Sequence, residues 1–160
     1  ANCIVQRVSY TADLGYEIYT DHMSVRHLWD VLSAAGKDLG LRPFGMRAMM
    51  SLRLDEWFGS WGREFSPDYT PAETGLDRFI AWNKPADWIG KAAALKEKAE
   101  GPKRKLVPIM IDAGDAVAQG FIPADRVQDG LALEVEILGE RRPARVHLAP
   151  LWDDGGRMRG

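Results

Sequence analysis

The sequence predicts an α+β fold followed by a small β domain. Three observations point there. Residues 3–20 hold two strand-like runs around a turn. Residues 24–57 hold two runs of apolar residues at helical spacing. Beyond Gly101-Pro102, good helix formers give way to short alternating strands.

The elements follow in order. Residues 3–10 read as a strand and residues 16–20 as its hairpin partner. Asp13-Leu14-Gly15 is the turn, with Gly15 expected at positive φ. Alternation puts Glu17 and Tyr19 on one face of the second strand, Tyr16 and Ile18 on the other. Ser24 is the N-cap expected for a helix whose stripe is Val25, Leu28, Trp29, Leu32 and Ala35, with Gly36 as its stop. Trp29 is expected in the core. A second helix is expected over 46–57, with Met46, Met49, Met50, Arg53 and Trp57 on one stripe. Residues 58–65, with Gly59, Trp61 and Gly62, read as an irregular aromatic loop. Thr70-Pro71-Ala72-Glu73 has the form of a capping box. Residues 76–82 are strand-like, and residues 90–100 form a helix stopped by Gly101-Pro102.

In the tail, residues 105–112, 131–138 and 142–148 read as strands. Leu133, Val135 and Ile137 share a face, Gly139-Glu140 is the turn, and Ala144, Val146 and Leu148 point inward. This reads as a small β-barrel or part of one. The boundary therefore falls at Gly101-Pro102, dividing residues 1–101 from 102–160.

Composition excludes several classes. The 160 residues carry a net charge of −2, and no basic run exceeds Lys103-Arg104-Lys105, which argues against nucleic-acid binding. The single cysteine, Cys3, rules out an intrachain disulfide framework and a cysteine-based zinc site. His22, His27 and His147 are not spaced as metal ligands, so no metal site is expected. No apolar run approaches 20 residues, and no membrane association is expected. A soluble intracellular protein follows, either cytoplasmic in a bacterium or in the mitochondrial matrix of a eukaryote. No Ser-His-Asp, P-loop or GxGxxG pattern appears. The chain enters strand-like sequence almost at once, which suggests a domain of a longer polypeptide.

Two charged residues stand out from their surroundings. Glu17 lies among aromatic and β-branched residues. It is either a carboxylate on the wet face of a ribbon or one that grips a polar heterocycle. Arg53 is the lone charge on an apolar stripe. It is either half of a structural ion pair or a support for an anionic ligand.

Four blocks carry a family resemblance. They are residues 7–19 (RVSYTADLGYEIY), 51–55 (SLRLD), 70–76 (TPAETGL) and 83–91 (NKPADWIGK). In this order they resemble the aminomethyltransferase (glycine cleavage T-protein) family. The last block resembles the folate-binding region of dimethylglycine and sarcosine dehydrogenases. The resemblance implies a T-protein-type, ferredoxin-like α+β portion that is incomplete at its N-terminus, then an incomplete barrel. It implies a tetrahydrofolate site and transfer of a one-carbon unit from a small (methyl)amine donor, as in a folate-dependent demethylase. By resemblance Glu17 hydrogen-bonds the pterin, Tyr10 walls the pocket, Arg53 supports the ligand, and Trp57 and Trp61 are stacking candidates. Trp57 fits the core equally well. No catalytic residue is assigned, because the family's catalytic Asp belongs to an N-terminal half. The chain is therefore not expected to turn over alone: a partner would supply that half, and self-association is a further option. FAD is expected only with an upstream oxidoreductase domain. A non-catalytic scaffold is the alternative reading. Finally, the family implies further strands between Asp112 and Phe121, where residues 115–119 are expected as an abrupt bridge.

Overall fold

The computed structural model describes residues 2–112 and 115–151. The chain divides into two compact units, one running to Phe58 and the other Gly59–Leu151. Among the described residues the α+β layout is as the sequence predicts.

The first unit opens with strands β1 (Cys3–Arg7) and β2 (Tyr16–Thr20), paired antiparallel from Cys3↔Thr20 to Arg7↔Tyr16. The first strand ends at Arg7 rather than Tyr10, so Tyr10 belongs to the connecting loop. Val8 N–H donates to the Gly15 carbonyl at 3.2 Å and closes that loop. The expected positive φ falls on Ala12 (62°), not on Gly15. Gly15 is needed for another reason: a Cβ there would lie 2.5 Å from the Val8 carbonyl oxygen. Gly15→Ala is expected to cost about 1–3 kcal/mol by forcing the ribbon apart, checked by urea denaturation.

Helix α1 is Val25–Gly36. Ser24 occupies the N-cap position without capping through its own side chain. Asp21 holds the N-cap residue itself: its carboxylate accepts the Ser24 N–H at 3.0 Å and the Ser24 hydroxyl at 2.9 Å. The Ser24 bonds hold the Asp21 carboxyl below its ordinary range. Gly36 does not stop the helix. A 3₁₀ turn, Lys37–Leu39, follows, and Gly40 at φ 78° ends it. Helix α2 is Met46–Asp55, two residues shorter than its stripe suggested.

Apolar burial is absent from β1, β2 and α1: no residue of these elements is buried, and Trp29, expected in the core, is 56% exposed. Its stripe instead lines an open apolar groove of about 770 Å³ with Leu32, Leu39, Leu41 and Phe44.

The second unit contains the core. The capping box forms as read. Glu73 N–H donates to Thr70 Oγ1 at 3.2 Å, and Glu73 Oε2 accepts the Thr70 N–H at 3.0 Å, opening α3 (Pro71–Thr74). Residues 76–82 are not a strand. They form a 3₁₀ turn, Asp77–Phe79, because Phe79 and Ile80 N–H groups bond to the Leu76 and Asp77 carbonyls and are spent on local turns. Helix α4 is Lys91–Glu100, entered through Gly90 at φ 87°.

Strands β3 (Arg104–Asp112), β4 (Asp115–Pro123), β5 (Ala132–Ile137) and β6 (Glu140–Val146) form one antiparallel sheet in the order β4-β3-β6-β5. Residues 115–119 are thus no bridge: they begin a nine-residue strand paired with β3 from Asp112↔Asp115 to Arg104↔Pro123. Pairing with β3 supplies donors and acceptors that a loose connector would leave to water. Val107, Ile109 and Ile111 alternate inward. Ile109 pairs with Ala118 on β4 and Val146 on β6, Ile111 with Ala116 and Ala144. These five positions, Val107, Ile109, Ile111, Ala144 and Val146, are the buried apolar core, ringed by Leu131, Leu133 and Val135 among others. Leu148 was expected inward but is 45% exposed, since β6 ends at Val146, and Ile137, which shares a face with Leu133 and Val135, is 39% exposed where it abuts the turn. That turn is Leu138-Gly139, both at positive φ, one residue earlier than read.

One charged clasp joins the second unit's helices to its sheet. Arg104 Nε donates to Glu73 Oε1 at 2.9 Å, and the guanidinium lies over the Tyr69 and Phe121 rings, which stack at 4.0 Å. Thr70 Oγ1 donates to Glu97 on α4 at 2.7 Å.

Candidate functional site

Glu17 is the second residue of β2, directly across from Gln6, with its side chain open to solvent. Tyr19, two residues on and on the same face, donates its hydroxyl hydrogen to Glu17 Oε2. The reciprocal effect is on the phenol: the bond to Glu17, and then the carboxylate's charge, push Tyr19 above the ordinary phenol range. Tyr19 was read as sharing this face, but its tie to Glu17 was missed. The i, i+2 spacing of a long donor and a carboxylate was the available signal.

Tyr10 is half-buried in the loop between the strands. Arg53, on the last turn of α2, is 2% exposed. Its Nη1 donates to the Phe58 carbonyl at 2.6 Å. The backbone makes the same connection: Phe58 N–H bonds to the Arg53 carbonyl at 2.9 Å and Trp57 N–H to the Leu54 carbonyl at 3.1 Å. This is a Schellman ending, with Trp57 in the left-handed position (φ 58°) normally given to glycine. A side chain with a Cβ pays about 1–2 kcal/mol there, so Arg53 helps hold a strained, half-buried tryptophan in place.

Trp61 belongs to the second unit. It is 78% exposed on a tight loop closed by Gly62 N–H to the Phe65 carbonyl at 2.7 Å and Ser60 N–H to Glu64 Oε2 at 2.9 Å. Within the first unit, Glu17 is thus bonded to Tyr19, while Arg53 and Trp57 share the ending of α2, Arg53 through its bonds to Phe58. Among the described residues no group of three His, Cys, Asp or Glu side chains is placed to hold a metal ion. No helix among them is long and apolar enough to cross a membrane.

Residues 1–84, just over half of the chain, match the family described as the GCVT N-terminal domain. The chain belongs to the glycine cleavage T-protein (aminomethyltransferase) family. The match takes in Tyr10, Glu17, Arg53, Trp57 and Trp61. The T-protein-like chain is 34% identical to human mitochondrial dimethylglycine dehydrogenase over 175 residues, covering 91% of this chain and 20% of that protein. It is 40% identical to an aminomethyltransferase of Alkaliphilus oremlandii (strain OhILAs) over 121 residues, 76% of this chain and 33% of that one. A crystal structure of glycine cleavage system aminomethyltransferase T from Bartonella henselae superimposes with a TM-score of 0.80 at 23% identity. It covers 92% of this chain and 49% of that one, and supports the T-protein fold. The chain thus spans at most about half the length of these relatives.

Strands β4 and β5 are the outer strands of the four-stranded sheet, a half-barrel.

Proposed function

We propose that this chain forms one wall of the tetrahydrofolate site of a one-carbon transferase. The enzyme would move a one-carbon unit from a small amine-derived donor to tetrahydrofolate, giving 5,10-methylenetetrahydrofolate. The observation that carries the reading is Glu17: a carboxylate presented on the open face of a ribbon, in the hairpin that marks the family. A carboxylate can accept two N–H bonds from a 2-amino-pyrimidinone edge, a paired, charge-assisted contact. The residues fit such a ligand unequally. Glu17 would receive the pterin edge and Tyr10 would wall the pocket. Arg53 points at the Phe58 carbonyl, so its support would be indirect, through the placement of Trp57. Trp57 offers an aromatic face for stacking, and Trp61, exposed in the second unit, is a separate aromatic candidate. Bound folate supplies the nitrogen nucleophiles that accept the carbon unit, and this chain's part is to bind and orient.

The partner in this reading is the remainder of a longer polypeptide, which would bring the catalytic carboxylate, with FAD present only in a flavin-bearing relative. The compartment would follow the relatives, bacterial cytoplasm or mitochondrial matrix. Glu17→Ala in the complete polypeptide is expected to weaken tetrahydrofolate binding by about 10- to 100-fold, the worth of a charged hydrogen-bonding group. Isothermal calorimetry checks it. Unchanged affinity would favour the scaffold reading, in which the T-protein-like chain serves only as an interaction module.

A further inference from the structure

Glu17 reaches its pose with help from its own strand. Alternation carries Tyr19 to the same face of β2, across from Ile4, while Glu17 faces Gln6. The Tyr19 hydroxyl donates to Glu17 Oε2. Neither side chain is packed in a core, and Tyr19 is 50% exposed. An exposed glutamate otherwise turns freely about its side-chain bonds, and fixing it against a flat ligand costs conformational entropy. A phenol donor on one oxygen removes part of that freedom before any ligand arrives. It does not saturate the carboxylate, which has about four acceptor sites on its two oxygens.

The donor also suits the task. A phenol stays protonated through neutral pH, and Glu17 holds this one in its protonated form further into the alkaline range. Its ring is long enough to span two residues along a strand, where a serine or threonine would fall short. Among the described residues no other side chain donates to Glu17.

We infer that Tyr19 is a positioning residue for Glu17, its hydroxyl fixing the carboxylate that receives the heterocycle edge. The inference rests on the proposed tetrahydrofolate reading and deepens it: recognition would need a carboxylate–phenol pair, not a lone glutamate. The strand supplies its own control. Tyr16 lies on the opposite face, paired with Arg7, and is 59% exposed. Removing its hydroxyl is the same chemical change on the same strand without access to Glu17.

The test is calorimetric titration with tetrahydrofolate of the complete polypeptide and of Tyr19→Phe, Glu17→Gln, their double variant and Tyr16→Phe. Tyr19→Phe is expected to weaken binding about fivefold, with an unchanged thermal midpoint. In the Glu17→Gln background the same substitution should cost clearly less than in the parent, because the charged group it positions is gone. In steady state the loss should fall on KM for tetrahydrofolate rather than on kcat. Tyr16→Phe should bind like the parent. The inference is overturned by full affinity in Tyr19→Phe, by an equal loss in both backgrounds, or by an equal loss from Tyr16→Phe. Full affinity in Glu17→Gln would instead remove the folate reading beneath it, a separate and recognisable outcome.

Discussion

Val107→Asp is expected to abolish the cooperative unfolding transition of the four-stranded sheet. Val107 is 1% exposed, at one end of an inward row with Ile109 and Ile111, and faces Gly120 on β4. A carboxylate there meets apolar neighbours and must either lose its hydration or carry a proton, at a cost of several kcal/mol. Since a domain has only about 5–15 kcal/mol to lose, most of the stability goes. Val107→Ala separates charge from volume: it should keep a two-state transition and lose about 1–3 kcal/mol from the cavity alone. Leu138→Asp is the control. Leu138 is fully exposed at φ 52° in a two-residue turn, where Asp is better suited than Leu, so stability should hold or rise slightly. Urea titration followed by far-UV circular dichroism reads all three. A cooperative transition within about 1 kcal/mol of the parent in Val107→Asp would contradict the placement of the core.

Arg53→Ala is the second large effect, expected to cost about 3 kcal/mol. The side chain is the largest fully buried one among the described residues. Its loss removes a 2.6 Å bond to the Phe58 carbonyl and leaves a hole at the end of α2. The consequence should be local as well as global. With its side-chain clamp gone, the Schellman ending loses one of the contacts that keep Trp57 in the left-handed region. Exchange of the Phe58 amide should therefore accelerate more than tenfold in Arg53→Ala. Arg53→Lys should rescue only part, because a single ammonium cannot reproduce the guanidinium fork. Hydrogen exchange read by NMR decides: an unchanged Phe58 amide would mean that Arg53 does not hold this loop.

Local signals were legible where a residue's role is settled by its near neighbours. The hairpin pairing, the Thr70–Glu73 capping box and the alternation of Leu133 and Val135 in β5 were readable because their partners lie within a few residues or follow strict period two. Reading failed where a donor had two nearby options. Residues 76–82 hold apolar side chains suited to a strand, but their N–H groups close local turns instead. Gly36 and Gly15 were credited with the left-handed angle that glycine permits, yet Gly40 and Ala12 take it. Gly15 is there to let a carbonyl approach.

Burial was the least legible property. A stripe such as Val25, Leu28, Trp29, Leu32 and Ala35 predicts that a helix has an apolar face. It does not say whether anything covers that face, and none of its residues is buried. Exposure depends on what packs from elsewhere, which no periodicity encodes. The same limit held for Arg53, whose oddness on an apolar stripe was plain but whose bond to Phe58 was not.

By itself the sequence determined the α+β order, the strand faces, the family and Glu17 as the residue to watch. Those follow from spacing along one chain and from motifs kept in order. Only the tertiary structure decided that residues 115–123 complete a hairpin with β3, that the apolar core lies in the β4-β3-β6-β5 sheet, and that Tyr19 holds Glu17. The reason is physical: pairing, burial and hydrogen-bond choice are set by competition between groups brought together by folding, and a linear pattern fixes only which groups can compete.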